Sequence, residues 1–137
     1  MRLSTRGRYG LHAMYVLGCH YGEDPVSLAE ISKKTGLSDN YLEQLIRQLK
    51  LAGLVDSMRG THGGYYLTKD PKDITIGDIL KNLEEFFGAT ECSVADGICS
   101  REGSCPARGV WANLVASMEE TVESITLDEV VAGKYVL

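Results

Sequence analysis

In DNYLEQLIRQLKLAG, aliphatic side chains recur at Leu42, Leu45, Ile46 and Leu49. That i, i+3, i+4, i+7 spacing predicts an α-helix with one core-facing stripe, and it turns Asp39, Asn40, Glu43, Gln44 and Arg47 to the opposite side. Ser38 precedes the run as a cap and Gly53 closes it. Just upstream, SLAEISKKTG predicts a shorter helix, with Ser27 and Glu30 spaced as a capping box and Gly36 at its end. Two short helices joined by a glycine-containing turn form a helix-turn-helix. LVDSM and YYLTK then flank RGTHGG, two β-prone runs around a glycine-rich tip, which predicts a hairpin wing.

Residues 4–21 read as a helix with Ser4 or Thr5 near its cap, apolar or aromatic around most of its circumference, as expected of a helix buried in the fold and in part against another chain. The stretch Glu23-Asp24-Pro25 breaks it. Thr75 and Asp78 make a second capping box, opening a helix through about Phe87 with Ile76, Ile79, Leu80 and Leu83 inward. Pro106 suits the first turn of a last long helix, in which Trp111, Val115, Met118, Val122 and Ile125 recur at steps of 4, 3, 4 and 3. Such a stripe either seats a partner helix or packs within its own subunit. The expected fold is mainly α with a small β-hairpin. A winged helix-turn-helix over 1–72 precedes a helical region over 73–137, which carries a cysteine loop (88–105) and a long C-terminal dimerisation helix (106–126).

Composition adds a division of charge. The net charge of −5 conceals a first half, residues 1–72, with 10 Lys/Arg against 7 Asp/Glu (net +3), and a second half with 4 against 12 (net −8). A basic first half can approach phosphates while the acidic second half faces elsewhere. Charge breaks every apolar run well short of the roughly 20 residues a membrane span needs. The basic N-terminus is followed by no apolar leader segment, so the expected setting is a reducing cytoplasm without membrane contact.

Within that basic half, the polar face of the second short helix carries the side chains that read bases. Asn40 and Gln44 suit adenine, Arg47 suits guanine, and Glu43 accepts from the cytosine amino group. Glu43 is the informative one, because a carboxylate facing phosphates lowers general affinity and makes sense only if it discriminates. Ser38 and Tyr41, at the helix start, belong to the same candidate interface. An ordinary solvated face is the bland alternative, and the wing argues against it. Arg59 at the hairpin tip, with His62 beside it, has the reach to enter a neighbouring minor groove. Arg2, Arg6, Arg8, Lys33, Lys34 and Lys50 would hold phosphates and carry no sequence information.

The acidic half poses a different problem. CSVADGICSREGSC, from Cys92 to Cys105, puts three of the four cysteines into fourteen loop residues with no core to bury them. Three thiols leave one unpaired in any disulfide scheme, whereas ligation has no parity rule. Zinc accepts three thiolates but favours short C-x2-C knuckles, and none occurs here; iron-sulfur ligation tolerates wider gaps. Thiol-redox sensing is a third option. The chain has no C-x-x-C pair, no nucleotide-phosphate loop and no nucleophile-base motif, so an enzyme is not expected, and a small electron-transfer protein gains little support.

Together, MRLSTRGRYG, SLAEIS, YLEQLIRQL, GLVDSMRGTHGGYYL and the cysteine cluster just before a Trp-bearing helix resemble the IscR-type family of bacterial winged-helix transcription factors, over nearly the whole chain. The resemblance implies a homodimer on a palindromic double-stranded DNA operator, with recognition helices about one duplex turn, roughly 34 Å, apart. It implies an iron-sulfur cluster, 2Fe-2S favoured over 4Fe-4S, with Cys92, Cys99 and Cys105 as thiolate ligands, and control of cluster-biogenesis or stress genes. It makes Glu43 and its neighbours the major-groove readers and Arg59 the minor-groove probe. Two departures stand out: six residues separate Cys92 from Cys99, one more than the family pattern, and Arg108 occupies the place of the family's histidine ligand. Arginine offers no lone pair. The fourth ligand is therefore open among Glu102, Asp96, His12, His20, Cys19, a partner-subunit group and an exogenous small thiol.

Overall fold

The computed structural model describes residues 3–84, 88, 90–93 and 95–137. Among them, six α-helices and one hairpin follow in the order α1 (Thr5–Cys19), α2 (Leu28–Thr35), α3 (Asp39–Leu51), β1 (Val55–Met58), β2 (Gly64–Leu67), α4 (Ile76–Leu83), α5 (Arg108–Ser124) and α6 (Leu127–Val131). Arg2, the end of the helix expected through Phe87, and Ala89 in the cysteine loop lie outside the described residues.

The winged helix-turn-helix forms where the polarity pattern put it. Ser27 and Ser38 cap α2 and α3 by accepting from the Glu30 and Tyr41 amides at 3.2 and 3.4 Å. Only half of the capping box at Ser27 is made, because the Glu30 carboxylate turns to Lys34 at 3.2 Å instead of back to its cap. Gly36 ends α2 with φ +73°, the left-handed turn that lets α3 double back. Leu42, Leu45, Ile46 and Leu49 are all buried, so the stripe faces the core as expected. β1 pairs antiparallel with β2 from Val55↔Leu67 to Met58↔Gly64. The wing is also stitched to the entry of α2: Val26 and Tyr65 exchange amide hydrogen bonds of 2.9 and 2.8 Å.

A single core runs through both halves of the chain, with Met14, Ile31, Leu42, Ile79, Leu83 and Leu127 essentially inaccessible. Helix α1 crosses this core on a face of small residues. A Cβ on Gly10 would meet Leu83 at 2.0 Å, and one on Gly18 would meet Val131 at 2.8 Å, so glycine sets how closely α4 and α6 approach. The outer face of α1, including His12, Tyr15 and Cys19, is exposed. Cys19 therefore points away from the glycine face.

Two expectations for the second half need correction. Helix α4 ends at Leu83, and Glu84 is already extended (φ −89°, ψ 131°) because its carboxylate turns to the start of α1, where it accepts from the Ser4 amide at 3.1 Å and the Ser4 hydroxyl at 3.0 Å. The last long helix spans 108–124 and not 106–126. Pro106 lies in the turn before it, and Ile125 is extended beyond it. There the chain folds back: Ile76 donates to Ile125 at 2.9 Å and Leu127 to Ile74 at 2.8 Å, so Thr75 and Thr126 face each other. Thr126 and Glu129 then form a capping box that starts α6, a helix the periodicity reading missed.

Candidate nucleic-acid interface and cysteine loop

Side by side, α3 and the wing form one polar surface. Asp39, Asn40, Glu43, Gln44 and Arg47 are exposed along α3, and no described residue engages the side chains of Asn40, Glu43, Gln44 or Arg47. A groove lined by Glu43, Arg47, Lys50, Ser57 and Tyr65 runs from this helix to the hairpin. Arg59 and His62 are exposed at the hairpin tip, held by a Gly63 to Gly60 hydrogen bond of 3.0 Å. Gly64 lets the wing lie against α2: at φ +155°, a Cβ there would stand 2.4 Å from the Val26 carbonyl oxygen.

Several expected contact residues also hold the interface together. Tyr41 is half-buried, its hydroxyl donating to Thr5 at 3.4 Å and its ring edge-on to Tyr9 at 6.1 Å, which ties α3 to α1. Lys50 donates to Ser57 at 2.6 Å and pairs with Asp56 at 3.4 Å, fixing β1 against the end of α3. The Ser57 amide and then Lys50 hold the Asp56 carboxyl below its usual range. Lys34 is drawn into a network with Glu30 and His20, and His20 donates in turn to Glu23 at 2.9 Å. Lys33 is exposed, and Arg8 lies over the Tyr9 ring at 5.7 Å.

In the cysteine loop, Cys92, Cys99 and Cys105 are free and half-buried. The Cys92 sulfur is 3.2 Å from the Thr90 hydroxyl. Three thiols on one short loop are a donor set suited to iron-sulfur or zinc chemistry. Among the described residues, however, no three His, Cys, Asp or Glu side chains are gathered closely enough to hold a metal ion, so occupancy requires the loop to rearrange. Arg108, the first residue of α5, explains the present arrangement. Its guanidinium donates to Asp96 at 2.6 Å and pairs with the Glu102 carboxylate at 2.5 Å. Of the other fourth-ligand candidates, His12 is exposed, His20 is engaged by Lys34 and Glu23, and Cys19 is a free, exposed thiol whose proximity pushes the Tyr15 hydroxyl above its usual pKa.

Beyond the loop, the stripe expected to pair subunits is divided. Val115 is buried within its own chain, and Val122 and Ile125 pack on its core. Trp111 and Met118 are half-buried, while Val110 and Leu114 are exposed. The outward surface of α5 is a shallow apolar groove lined by Leu114, Ser117, Met118, Thr121 and Val122.

Comparison with known proteins places this architecture. A family model described as Rrf2, iron-dependent transcriptional regulator, matches residues 3–133. The HTH-type transcriptional regulator IscR of Pectobacterium carotovorum subsp. carotovorum is 40% identical over 137 residues, which is all of this chain and 83% of that protein. Among solved structures, T. potens IscR matches with a TM-score of 0.79 and 41% identity, covering 98% of this chain and 88% of that one. CymR, the global cysteine regulator of B. subtilis, matches with a TM-score of 0.80 and 37% identity, covering 96% and 97%.

Proposed function

The chain belongs to the Rrf2 family of iron-dependent transcriptional regulators, and on that footing we propose that it is a homodimeric, sequence-specific reader of a palindromic DNA operator whose grip responds to an iron-sulfur cluster on Cys92, Cys99 and Cys105. The observation that carries this reading is the pairing of three free, half-buried thiols on one loop with an open set of base-reading side chains on α3. Bound to those thiolates, iron and sulfide would supply a compact anionic centre that draws the three cysteines to one point.

The chain's own side chains connect loop and reader. Glu84, where α4 gives way to the segment leading into the loop, holds the Ser4 amide and hydroxyl; the next residue, Thr5, accepts from Tyr41 on α3. A change in the loop's path reaches the recognition helix through two adjacent residues of α1's first turn. Control of this kind requires the loop's two forms to favour different arrangements of α3, since a loop state equally compatible with both shifts nothing. The open apolar surface of α5 suits a second copy of the chain, which would set the spacing of two reading heads.

A second reading dispenses with the metal. The thiols are not gathered as the loop is folded, and the likeness to a global cysteine regulator supports a sensor that acts through the thiols themselves. Anaerobic reconstitution with iron and sulfide separates the two. The cluster reading expects visible absorption and stoichiometric iron and sulfide, lost in Cys92→Ser, Cys99→Ser and Cys105→Ser. Colourless protein that retains DNA binding and loses it on mild thiol oxidation contradicts it and supports the second.

A further inference from the structure

We propose that Arg108 is a positioning residue that holds the thiols of the cysteine loop apart, its ion pairs with Asp96 and Glu102 competing with the gathering of Cys92, Cys99 and Cys105 around a metal. This rests on the reading that the loop thiols ligate. Asp96 and Glu102 stand three residues to either side of Cys99. One guanidinium nitrogen bridges both carboxylates, at 2.6 and 2.5 Å, and the other reaches the Glu102 carbonyl at 3.5 Å. The second Glu102 oxygen accepts from the Gly97 amide at 2.6 Å, and the Glu102 amide donates to the Cys99 carbonyl at 3.1 Å. Residues 96–102 are thus closed into a ring across Cys99 and fastened to the first residue of α5.

The anchor is firm because α5 is itself held. Lys81 on α4 donates to Glu123 at 2.7 Å, and Thr75 donates to the same carboxylate at 3.1 Å. With the ring closed, no three potential ligand side chains are together among the described residues, and both nearby carboxylates are committed to one cation. Collecting three sulfurs must therefore displace Cys99 from a turn that the ring stabilises. A contact present only in the empty form lowers the apparent affinity of whatever fills the loop, in proportion to how strongly it populates that form. Glu102 carries more of this than Asp96: its side chain is 23% exposed and tied on three sides, whereas Asp96 is 90% exposed. Arg108 thereby sets the threshold at which the loop fills.

The test uses the full-length metal-free protein under anaerobic conditions, titrated with Co2+ and read by thiolate-to-cobalt charge-transfer absorption, with far-ultraviolet circular dichroism as the check on folding. Arg108→Met and Glu102→Gln are each expected to bind Co2+ about three- to tenfold more tightly than the wild type. The advantage should shrink in high salt, which screens the wild-type clamp. Glu102→Gln is decisive, because a ligating Glu102 would make that variant bind more weakly. Weaker binding in Glu102→Gln, or equal affinities in all three proteins, overturns the proposal while leaving the thiols as ligands. If no band depends on the cysteines, ligation by the loop fails and the clamp's proposed role falls with it.

Discussion

Glu43 and Gly64 shape the proposed reading surface in opposite ways, one by charge and one by the absence of a side chain. Glu43 is exposed beside Arg47 and Lys50 in the groove between α3 and the wing. Its carboxylate repels phosphates everywhere and is compensated only where a base donates to it. Glu43→Ala is therefore expected to narrow the ratio of specific to non-specific binding about tenfold or more while raising affinity for unrelated duplexes, measured by fluorescence anisotropy on matched and scrambled sites. Gly64→Ala should instead destabilise the fold by about 2 kcal/mol or more, because a Cβ at 2.4 Å from the Val26 carbonyl oxygen must push the wing off α2. Thermal unfolding reads this directly, and an unchanged midpoint would contradict the close approach. The exposed polar face of α3 was legible from the sequence, since helical spacing alone separates Glu43 and Gln44 from Leu42 and Leu45. The second roles of Tyr41 and Lys50 were not: their partners, Thr5 and Ser57, lie on other elements, and no local pattern announces such tertiary contacts.

Among elements, the joint between α4 and α5 decides how the second half of the molecule holds together. Gly77 permits it, since a Cβ there would meet the Glu123 carboxylate at 2.7 Å. Hydrogen bonds from Lys81 first, and then from Thr75, hold the Glu123 carboxyl below its usual range. A lowered folded-state pKa means that the stabilisation is complete above the ordinary glutamate range and is lost as pH falls through the depressed value. Protection of the amides in the C-terminal half of α5, measured against their intrinsic exchange rates, is therefore expected to fall in acid, and Glu123→Gln should remove that pH dependence. A wild-type protein whose α5 protection is flat through the acid range would contradict the assignment. The sequence revealed this region unevenly. The Thr75 and Asp78 box is legible in the sequence, but Thr126 and Glu129, with the same three-residue spacing, mark a new start that the expected helix over 106–126 overruns. Ile125 extended the apparent heptad stripe by coincidence of spacing; it is half-buried because residues 125–127 pair with 74–76, a contact between distant segments that periodicity does not encode. The end of α4 was similarly hidden, because Glu84 stops the helix by binding α1.

In the whole molecule, the basic first half and the acidic second half share one core, in which Leu42 and Leu45 of α3 meet Ile79 and Leu83 of α4 and Leu127 of α6. The charge division predicts DNA binding that falls steeply with salt despite an overall charge of −5, because Arg47, Arg59 and Lys33 lie exposed in the positive half. Arg59→Ala should lower the slope of log affinity against log salt by about one if it contacts a phosphate; an unchanged slope with lost preference for A·T-rich flanks would place it in the minor groove, as the sequence suggests.

If the cysteine loop governs DNA binding, its state changes how the two α3 helices of a dimer grip the duplex. The most direct test takes one palindromic duplex, selected from a random pool by the protein itself, and measures its dissociation constant anaerobically with cluster-loaded and metal-free protein at fixed salt. Loop control requires constants that differ by about fivefold or more, a difference abolished by Cys99→Ser. Equal constants for the two forms, on selected and scrambled duplexes alike, would contradict it.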